Sequence, residues 1–164
     1  MLIAFILAAV LLLFLAVAFI TYRMAFYANT KSLEIPRDFP NTKQYDEVRE
    51  TMLSYLDELS ARPYERVSIR SADGKRLWAR YYHTANGAPL DIGFHGYKSH
   101  PVRDFCGGSR ISFAMGHNLL LPEQRAHVES DGRTITFGIL ERLDCLSWVS
   151  YAVERFGEET PICL

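Results

Sequence analysis

Two histidines lie at or shortly after short apolar runs, and imidazole is the side chain that most often moves protons near neutral pH. His95 ends the first run and is followed directly by Gly96 and Tyr97, while His127 lies six residues after the second run, Leu119–Leu121. Either ring has the chemistry of a general base. The alternative is structural, because a histidine at the end of a buried strand commonly forms hydrogen bonds that hold the fold. Gly96 either lets the backbone approach a bound molecule closely or only turns the chain.

The other chemically capable residues are not arranged in known catalytic or metal-binding patterns. No H-E-x-x-H spacing surrounds the five histidines and no C-x-x-C pair occurs among the three cysteines, so we expect no metal site and no disulfide framework. No serine lies in a G-x-S-x-G segment, and glycine-rich phosphate-binding loops are absent. We expect Glu141 and Asp144 to lie on the solvated face of a helix. The five histidines are His83, His95, His100, His117 and His127.

The composition describes a nearly neutral protein with one strongly apolar end. The 164 residues include 18 Lys and Arg against 19 Asp and Glu. This balance excludes strongly basic nucleic-acid binders, and we expect no nucleic-acid partner. Residues 1–20 are all apolar. The rest of the sequence has the composition of a folded globular domain, and the total length suits one domain.

The apolar N-terminus predicts a transmembrane anchor over residues 1–22, through which the protein would contact a membrane. The first charged side chain is Arg23, and a helix of this length rises about 33 Å against a hydrocarbon core of about 30 Å. A signal peptide is the alternative, but no basic residue precedes the apolar run and bulky residues crowd its end. Arg23, Lys31 and Arg37 follow the run, so the positive-inside rule predicts a single-pass protein of the cell membrane with its domain in the cytoplasm.

Residues 23–40 are predicted to form a linker, and residues 41–164 a partial domain. The linker sequence contains two prolines and no apolar period. After it, apolar residues recur at intervals of three and four, which predicts an amphipathic helix that begins near Asn41 or Thr42 and ends before Pro63. We place this helix on the surface of the domain, with the membrane surface as the alternative. The apolar stripe consists of Tyr45, Val48, Met52, Tyr55, Leu56 and Leu59.

Short apolar runs and one weak helical pattern follow. Val67–Tyr82 predicts a β-hairpin that turns at Asp73-Gly74, a pair typical of tight hairpin turns. Pro89–His95 predicts a buried strand. A weak helix over Ser109–Met115 precedes a further apolar run at Leu119–Leu121.

The clearest helical pattern covers Ile135–Phe156, with Thr134 as its expected cap and Gly157 as its stop. Residues 161–164 then have the composition of a beginning strand. Strands that alternate with helices predict parallel pairing through right-handed crossovers, and therefore an α/β sheet.

The ordered set of segments resembles the α/β-hydrolase superfamily, in particular its membrane-anchored bacterial serine hydrolases of the esterase or peptidase type. In that family H-G-Y-(R/K)-S follows the third strand, as residues 95–99 do here, and L-L-x-x-x-Q-R-A-H follows the fourth, as in Leu119–His127. A long helix then leads to a strand that ends in G-x-S-x-G, the nucleophile segment. The resemblance implies the N-terminal half of this fold: an antiparallel hairpin, then parallel strands with crossover helices in the order 1-2-4-3-5, preceded by one transmembrane helix.

The resemblance also implies roles for particular residues. His95, Gly96 and Tyr97 would bind the substrate, and the backbone N–H of Tyr97 would donate to the oxyanion that forms during acyl transfer. Arg125 and His127 would support the loop after the fourth strand, Arg125 as a buried and paired cation rather than a solvated one. The complete enzyme would cleave a small acyl or peptide substrate with a Ser-His-Asp triad and no cofactor.

Two departures from the family pattern affect these expectations. Val128 stands where the family usually has glycine, so we expect a tighter or displaced turn after His127. The sequence also holds no G-x-S-x-G segment, so the nucleophile and its triad partners are missing, and we expect an N-terminal fragment that is inactive alone. The alternative is a non-catalytic, membrane-anchored interaction domain or a degenerate gene product. The reading frame after Leu164 discriminates between the two.

Overall fold

A computed structural model describes residues 1–28 and 32–164 of the chain; Lys31, predicted to flank the membrane, lies outside the described residues. Within these ranges the chain forms helices on both sides of a sheet. The helices are α1 (Leu2–Ala25), α2 (Lys43–Asp46), α3 (Arg49–Ala61), α4 (Pro101–Phe105), α5 (Gly108–Ala114) and α6 (Glu141–Phe156). The strands are β1 (Glu65–Arg70), β2 (Arg76–Tyr82), β3 (Leu90–Ile92), β4 (Asn118–Glu123) and β5 (Ile162–Cys163).

The strands form a five-stranded mixed sheet in the order β1-β2-β4-β3-β5. β1 and β2 make the predicted antiparallel hairpin, and its turn contains Gly74 at a φ of +79°, a left-handed value that glycine adopts without strain. β2 pairs antiparallel with β4, whereas β3 lies parallel between β4 and β5. The predicted α/β architecture and strand order are therefore confirmed.

The side chains of β2 show how the two helical layers pack on the sheet. Leu77, Ala79 and Tyr81 are buried in a cluster with Trp148 of α6. Tyr82 lies instead in a second cluster with residues of α3, α4 and α5. Successive side chains of a strand point to opposite faces, so α6 covers one face of the sheet and α3–α5 cover the other.

α1 has 24 residues, is long and apolar enough to cross a membrane, and buries none of its residues against the domain. At about 1.5 Å per residue it is about 36 Å long, compared with about 30 Å for a hydrocarbon core.

Part of the predicted linker contributes to the core. Phe39 is buried and Ile35 partly buried in the cluster that contains α3. Arg37 forms a bidentate pair with Asp57 of α3. These contacts place residues 32–40 against the domain.

The first amphipathic helix is divided into two pieces rather than continuous. α2 ends at Asp46 and α3 begins at Arg49, and Val48 between them is 44% exposed. Leu56 and Leu59 in α3 are buried. Helices in proteins are stabilised chiefly by packing of their apolar face, so the poorly packed N-terminal part of the stripe does not hold an unbroken helix.

The long helix begins at Glu141 rather than at Ile135, and Thr134 is not its cap. Thr134 forms an isolated antiparallel β-bridge with Tyr27. Phe137 has a φ of +51°, which a right-handed helix cannot contain. The predicted pattern therefore combined a loop and a helix that happen to share an apolar period.

The buried face of α6 also differs from the predicted one. Ile139 and Leu146, two members of the predicted stripe, are 68% and 60% exposed. The buried residues of α6 are Asp144, Trp148 and Ala152, spaced four apart. The face that packs on the sheet thus includes a carboxylate.

The expected solvated positions of Glu141 and Asp144 are accordingly wrong. Asp144 is 4% exposed and forms hydrogen bonds with Arg125. The half-buried Glu141 carboxylate accepts the backbone N–H groups of Thr136 at 2.7 Å and Gly138 at 2.8 Å. Both carboxylates face inward because cationic or N–H donors compensate their loss of water.

α4, which the sequence pattern did not predict, packs directly against the end of β3. A Cβ atom on Gly93 would lie 2.5 Å from Phe105 Cε1 and 2.9 Å from Leu121 Cδ2, so only glycine fits there without movement. The helix begins with Pro101 in its first turn, which is an N-terminal signal, and the His100 ring caps it by accepting the Val102 N–H. This close contact holds α4 beside the loop that follows β3.

Candidate active site

The loops after β3 and β4 lie side by side at the carboxyl edge of the sheet. This follows from topology, because β3 and β4 are parallel neighbours with Leu90 opposite Asn118 and Ile92 opposite Leu120. Open α/β sheets bind their ligands at the carboxyl ends of such strands. The predicted site residues of both loops, 95–97 and 125–127, are brought to this edge.

His95 is part of the scaffold of this edge. It is 3% exposed, its Nε2 accepts the Gln124 N–H at 3.1 Å, and its Nδ1 donates to the Gly96 carbonyl at 3.0 Å. The Gln124 side-chain amide in turn donates to the His95 carbonyl. Burial lowers the pKa of His95 to about 4. Both ring nitrogens are thus committed to backbone groups in the neutral form, which favours the structural interpretation over a general base.

His127 packs against His95 with the two rings nearly perpendicular and their centroids 4.6 Å apart. Its Nδ1 donates to the Arg125 carbonyl at 3.0 Å. Its Nε2 is buried and finds no hydrogen-bond partner in the part of the chain that the structure describes. Burial lowers the pKa of His127, so this ring is also neutral near pH 7.

Residues Gly96–Ser99 form a tight turn whose geometry leaves its two central backbone donors open. The Ser99 N–H donates to the Gly96 carbonyl at 3.2 Å, and Lys98 has a left-handed φ of +50°. The Gly96 N–H donates to Asp104 Oδ2 at 2.7 Å. Across residues 1–28 and 32–164, neither the Tyr97 N–H nor the Lys98 N–H finds an acceptor. An oxyanion donor must be an N–H group that has no partner of its own and that the surrounding backbone holds in a fixed position.

Asp104 of α4 is a site residue that sequence reasoning missed. Its carboxylate accepts both the Gly96 N–H and the Ser99 hydroxyl, and so fixes the two ends of the turn. Arg103 donates to the Ser99 hydroxyl at 2.7 Å from the same helix. Pro101 is a signal from which the start of α4 could have been found, but nothing local indicates that the Asp104 carboxylate faces the turn.

Arg125 is buried and paired, and it joins three segments behind the site. Its Nε and Nη2 donate to Asp144 at 2.6 and 2.7 Å, and its Nη1 donates to Asp73 at 3.2 Å. Asp73 belongs to the hairpin turn and Asp144 to α6. The pairing raises the pKa of Arg125. The loop after β4 is therefore held from both sides by one guanidinium.

Strained backbone is concentrated at the same edge of the sheet. The described non-glycine residues with positive φ are Lys98, Ala126, Val128 and Phe137, at +50°, +67°, +47° and +51°. All four lie in the loops after β3 and β4. Such residues cost about 1–3 kcal/mol each and cluster at functional sites. Val128 holds a left-handed φ in the turn after His127, a conformation that glycine adopts without strain.

No protein-family model matches the chain, and no curated protein matches it. Solved structures do match. An esterase from Pyrococcus furiosus is 26% identical over 77% of this chain and 46% of its own, with a TM-score of 0.53. A second crystal form of that esterase gives 23% identity and a TM-score of 0.52. DcsB, solved with a substrate analogue, is 16% identical over 61% of this chain and 35% of its own, with a TM-score of 0.55.

The chain has an α/β-hydrolase fold. It spans less than half the length of these structures. Within the α/β-hydrolase fold, the loop after the third strand supplies one of the oxyanion donors. That loop corresponds here to residues 95–99.

Proposed function

We propose that this chain forms the oxyanion side of a serine hydrolase that cleaves an ester, thioester or amide bond. The open N–H of Tyr97 is the observation that carries the proposal, since the turn around it is fixed while that donor is free. The neutral, backbone-bonded His95 supports the turn and does not compete as a base. No cofactor enters this chemistry, because acyl transfer needs a nucleophile, a base and N–H donors.

The nucleophile and its triad partners are proposed to come from sequence beyond Leu164. The present sequence holds no G-x-S-x-G segment, and in this fold that segment follows the fifth strand. The small acyl or peptide substrate would therefore bind between the oxyanion turn of this chain and the triad residues of the following sequence. We expect the 164-residue polypeptide alone to hydrolyse p-nitrophenyl butyrate no faster than buffer.

Replacing Tyr97 by proline tests the oxyanion assignment in the polypeptide that the whole reading frame encodes. Proline removes the N–H and suits the second position of a tight turn. Tyr97→Ala is the matched control, because it removes the same ring but keeps the N–H. We expect kcat of the proline variant to fall below that of the alanine variant by about 10²–10³.

Two results would contradict the proposal. Equal kcat values for the two Tyr97 variants would remove this N–H from the reaction. A stop codon directly after Leu164, together with no turnover, would instead favour a non-catalytic anchored domain.

We also propose that α1 is a single-pass anchor in the cell membrane and that the domain lies in the cytoplasm. Arg23 in the last turn of α1 supports this orientation. In the 164-residue polypeptide Cys163 is exposed while Cys106 is buried, so Cys163 of this polypeptide serves as a label site once the half-buried Cys145 is changed to serine. We expect carbonate-resistant membrane association, and modification by a membrane-impermeant maleimide only after the cells are opened. Modification in intact cells would place the domain outside.

A further inference from the structure

The end of α1 is bonded directly to the turn that carries the proposed oxyanion donor. The Tyr97 hydroxyl donates to the Ala25 carbonyl at 2.6 Å, and Lys98 Nζ donates to the Met24 carbonyl at 2.5 Å. The last carbonyls of a helix have no partner within the helix, so these two side chains complete its C-terminus. The residues after Gly96 therefore serve both the site and the anchor.

A second loop holds the same end of α1. The Tyr97 ring stacks on Phe137 at 5.0 Å, and Phe137 meets Phe26 edge-on at 5.3 Å. The Ile135 N–H donates to the Phe26 carbonyl at 2.8 Å, and the Ala28 N–H donates to the Arg133 carbonyl at 2.9 Å. The end of α1 is thus fixed to the loops on both sides of the site.

This attachment determines where the site lies when α1 crosses a bilayer. The helix is slightly longer than the hydrocarbon core is thick, so its last turn reaches the headgroup layer. Tyr97 is one hydrogen bond away from that turn. The proposed oxyanion donor therefore lies at the level where the ester groups of membrane lipids begin.

An open cavity of about 720 Å³ lies between the last turns of α1 and the turn after β3. We call it the α1 cleft. Its apolar lining comes from α1, and its charged lining comes from Arg23 in the last turn of α1 and Lys98 in the turn after β3. The lining residues are Phe19, Ile20, Arg23, Met24, Tyr27 and Lys98.

The charges of the α1 cleft are cationic. Arg23 stacks on the Tyr27 ring at 3.6 Å, and Lys98 binds a backbone carbonyl. Among the described residues, neither cation is paired with a carboxylate. Two unneutralised cations above an apolar wall match an amphiphile that has an anionic head and an acyl tail.

We propose that the α1 cleft binds the headgroup of an anionic phospholipid from the bilayer that α1 spans, and that acyl esters of such lipids are the substrate class. The binding site rests on the contacts of α1 and on its proposed membrane span, whereas the substrate class also rests on the proposed hydrolase function. The acyl chain lies along Phe19 and Ile20, and the phosphate lies between Arg23 and Lys98. The lipid ester is then held at the turn that contains Tyr97 and Lys98.

Photocrosslinking of the full chain in phosphatidylcholine nanodiscs tests the binding site. The probes are phosphatidylglycerol and phosphatidylcholine that carry a diazirine in the acyl chain. A juxtamembrane cation contributes roughly a fivefold preference for anionic lipid. We expect phosphatidylglycerol to label the chain at least tenfold more than phosphatidylcholine does, with labelled peptides from the α1 cleft.

Variants distinguish lipid binding in the α1 cleft from lipid attraction by general surface charge. Arg23→Gln should lower phosphatidylglycerol labelling about fivefold, and adding Lys98→Gln should lower it about fivefold again. Arg23 lies on the helix outside the folded domain, so its single variant stays informative if the double variant misfolds. Arg110→Gln is the charge-matched control on α5, where the guanidinium pairs with Glu58, and it should not change labelling. Equal labelling by the two lipids, or unchanged labelling in Arg23→Gln, would overturn the site.

The substrate class is tested separately on the polypeptide from the whole reading frame. We expect it to release fatty acid from phosphatidylglycerol vesicles. Cleavage of p-nitrophenyl butyrate without fatty-acid release would overturn the lipid substrate and leave the hydrolase proposal standing. Absence of both activities would overturn the hydrolase proposal, while the crosslinking result would still decide the lipid site.

Discussion

Replacing Asp144 by alanine should lower the free energy of unfolding by about 3–5 kcal/mol, because it leaves a buried guanidinium without its main counter-charge. Arg125 and Asp144 side chains are only 3% and 5% exposed, and two hydrogen bonds join them at 2.6 and 2.7 Å. The remaining partner, Asp73, is 3.2 Å away and is 40% exposed. Asp73 cannot replace the Asp144 carboxylate, because its longer contact is partly exposed to solvent and is therefore weaker. Urea unfolding of the full chain in detergent, followed by tryptophan fluorescence, measures the loss.

Asp57→Ala is the matched control for this change. It also removes an aspartate from a bidentate arginine pair, but both partners, Arg37 and Asp57, are 58% exposed. Water replaces an exposed partner readily, so we expect little change in the urea midpoint. Equal midpoints for Asp144→Ala and Asp57→Ala would show that Arg125 regains water without unfolding, and that the buried pair does not hold the edge of the sheet together.

The same pair shows why the face of α6 could not be predicted from the sequence. A helix is assigned its buried side by its apolar residues, and Ile139 and Leu146 satisfy that rule while remaining exposed. Asp144 breaks the rule because Arg125, 19 residues away in sequence, compensates its charge. Such a pairing depends on the tertiary structure and has no local signal.

Features that rest on neighbouring residues were predicted well. The hairpin turn needs only Asp73-Gly74 and two alternating runs, and the order of strands and helices implied the parallel pairing of β3 and β4. The turn of residues 95–99 was found through its family resemblance. Its attachment to α1 was not found, because the Tyr97 hydroxyl meets a carbonyl 72 residues away. That carbonyl belongs to a helix for which the sequence predicts only a membrane role.

The unfolding free energy should also fall steeply as the pH drops from about 6.5 to about 4.5. Burial lowers the pKa of His95 to about 4 and that of His100 to about 3, whereas a histidine in the unfolded chain titrates near 6.5. Below pH 6.5 these two histidines bind protons in the unfolded state but remain neutral in the native state. The stability is therefore complete above pH 6.5 and is lost as the pH falls.

His95 and His100 should each contribute about 2 kcal/mol to this loss over that interval, since one pH unit corresponds to about 1.4 kcal/mol per proton. Protonation of His95 breaks the bond that its Nε2 accepts from the Gln124 N–H. Protonation of His100 breaks the bond that its Nδ1 accepts from the Val102 N–H at 3.2 Å. The nearby Arg80 charge adds to the effect of burial on the His100 pKa.

Variants assign the loss to these rings rather than to the carboxylates, which also titrate in acid. His95→Gln should remove about 2 kcal/mol of the pH-dependent part, because glutamine does not titrate. His83→Gln is the matched control, because it makes the same substitution at an exposed histidine. The profile comes from urea midpoints of the full chain at each pH. A His95→Gln profile parallel to that of the wild type would mean that His95 takes up a proton within the native state. The edge of the sheet would then open in acid without unfolding, and the turn that holds the Tyr97 N–H would be the part that moves.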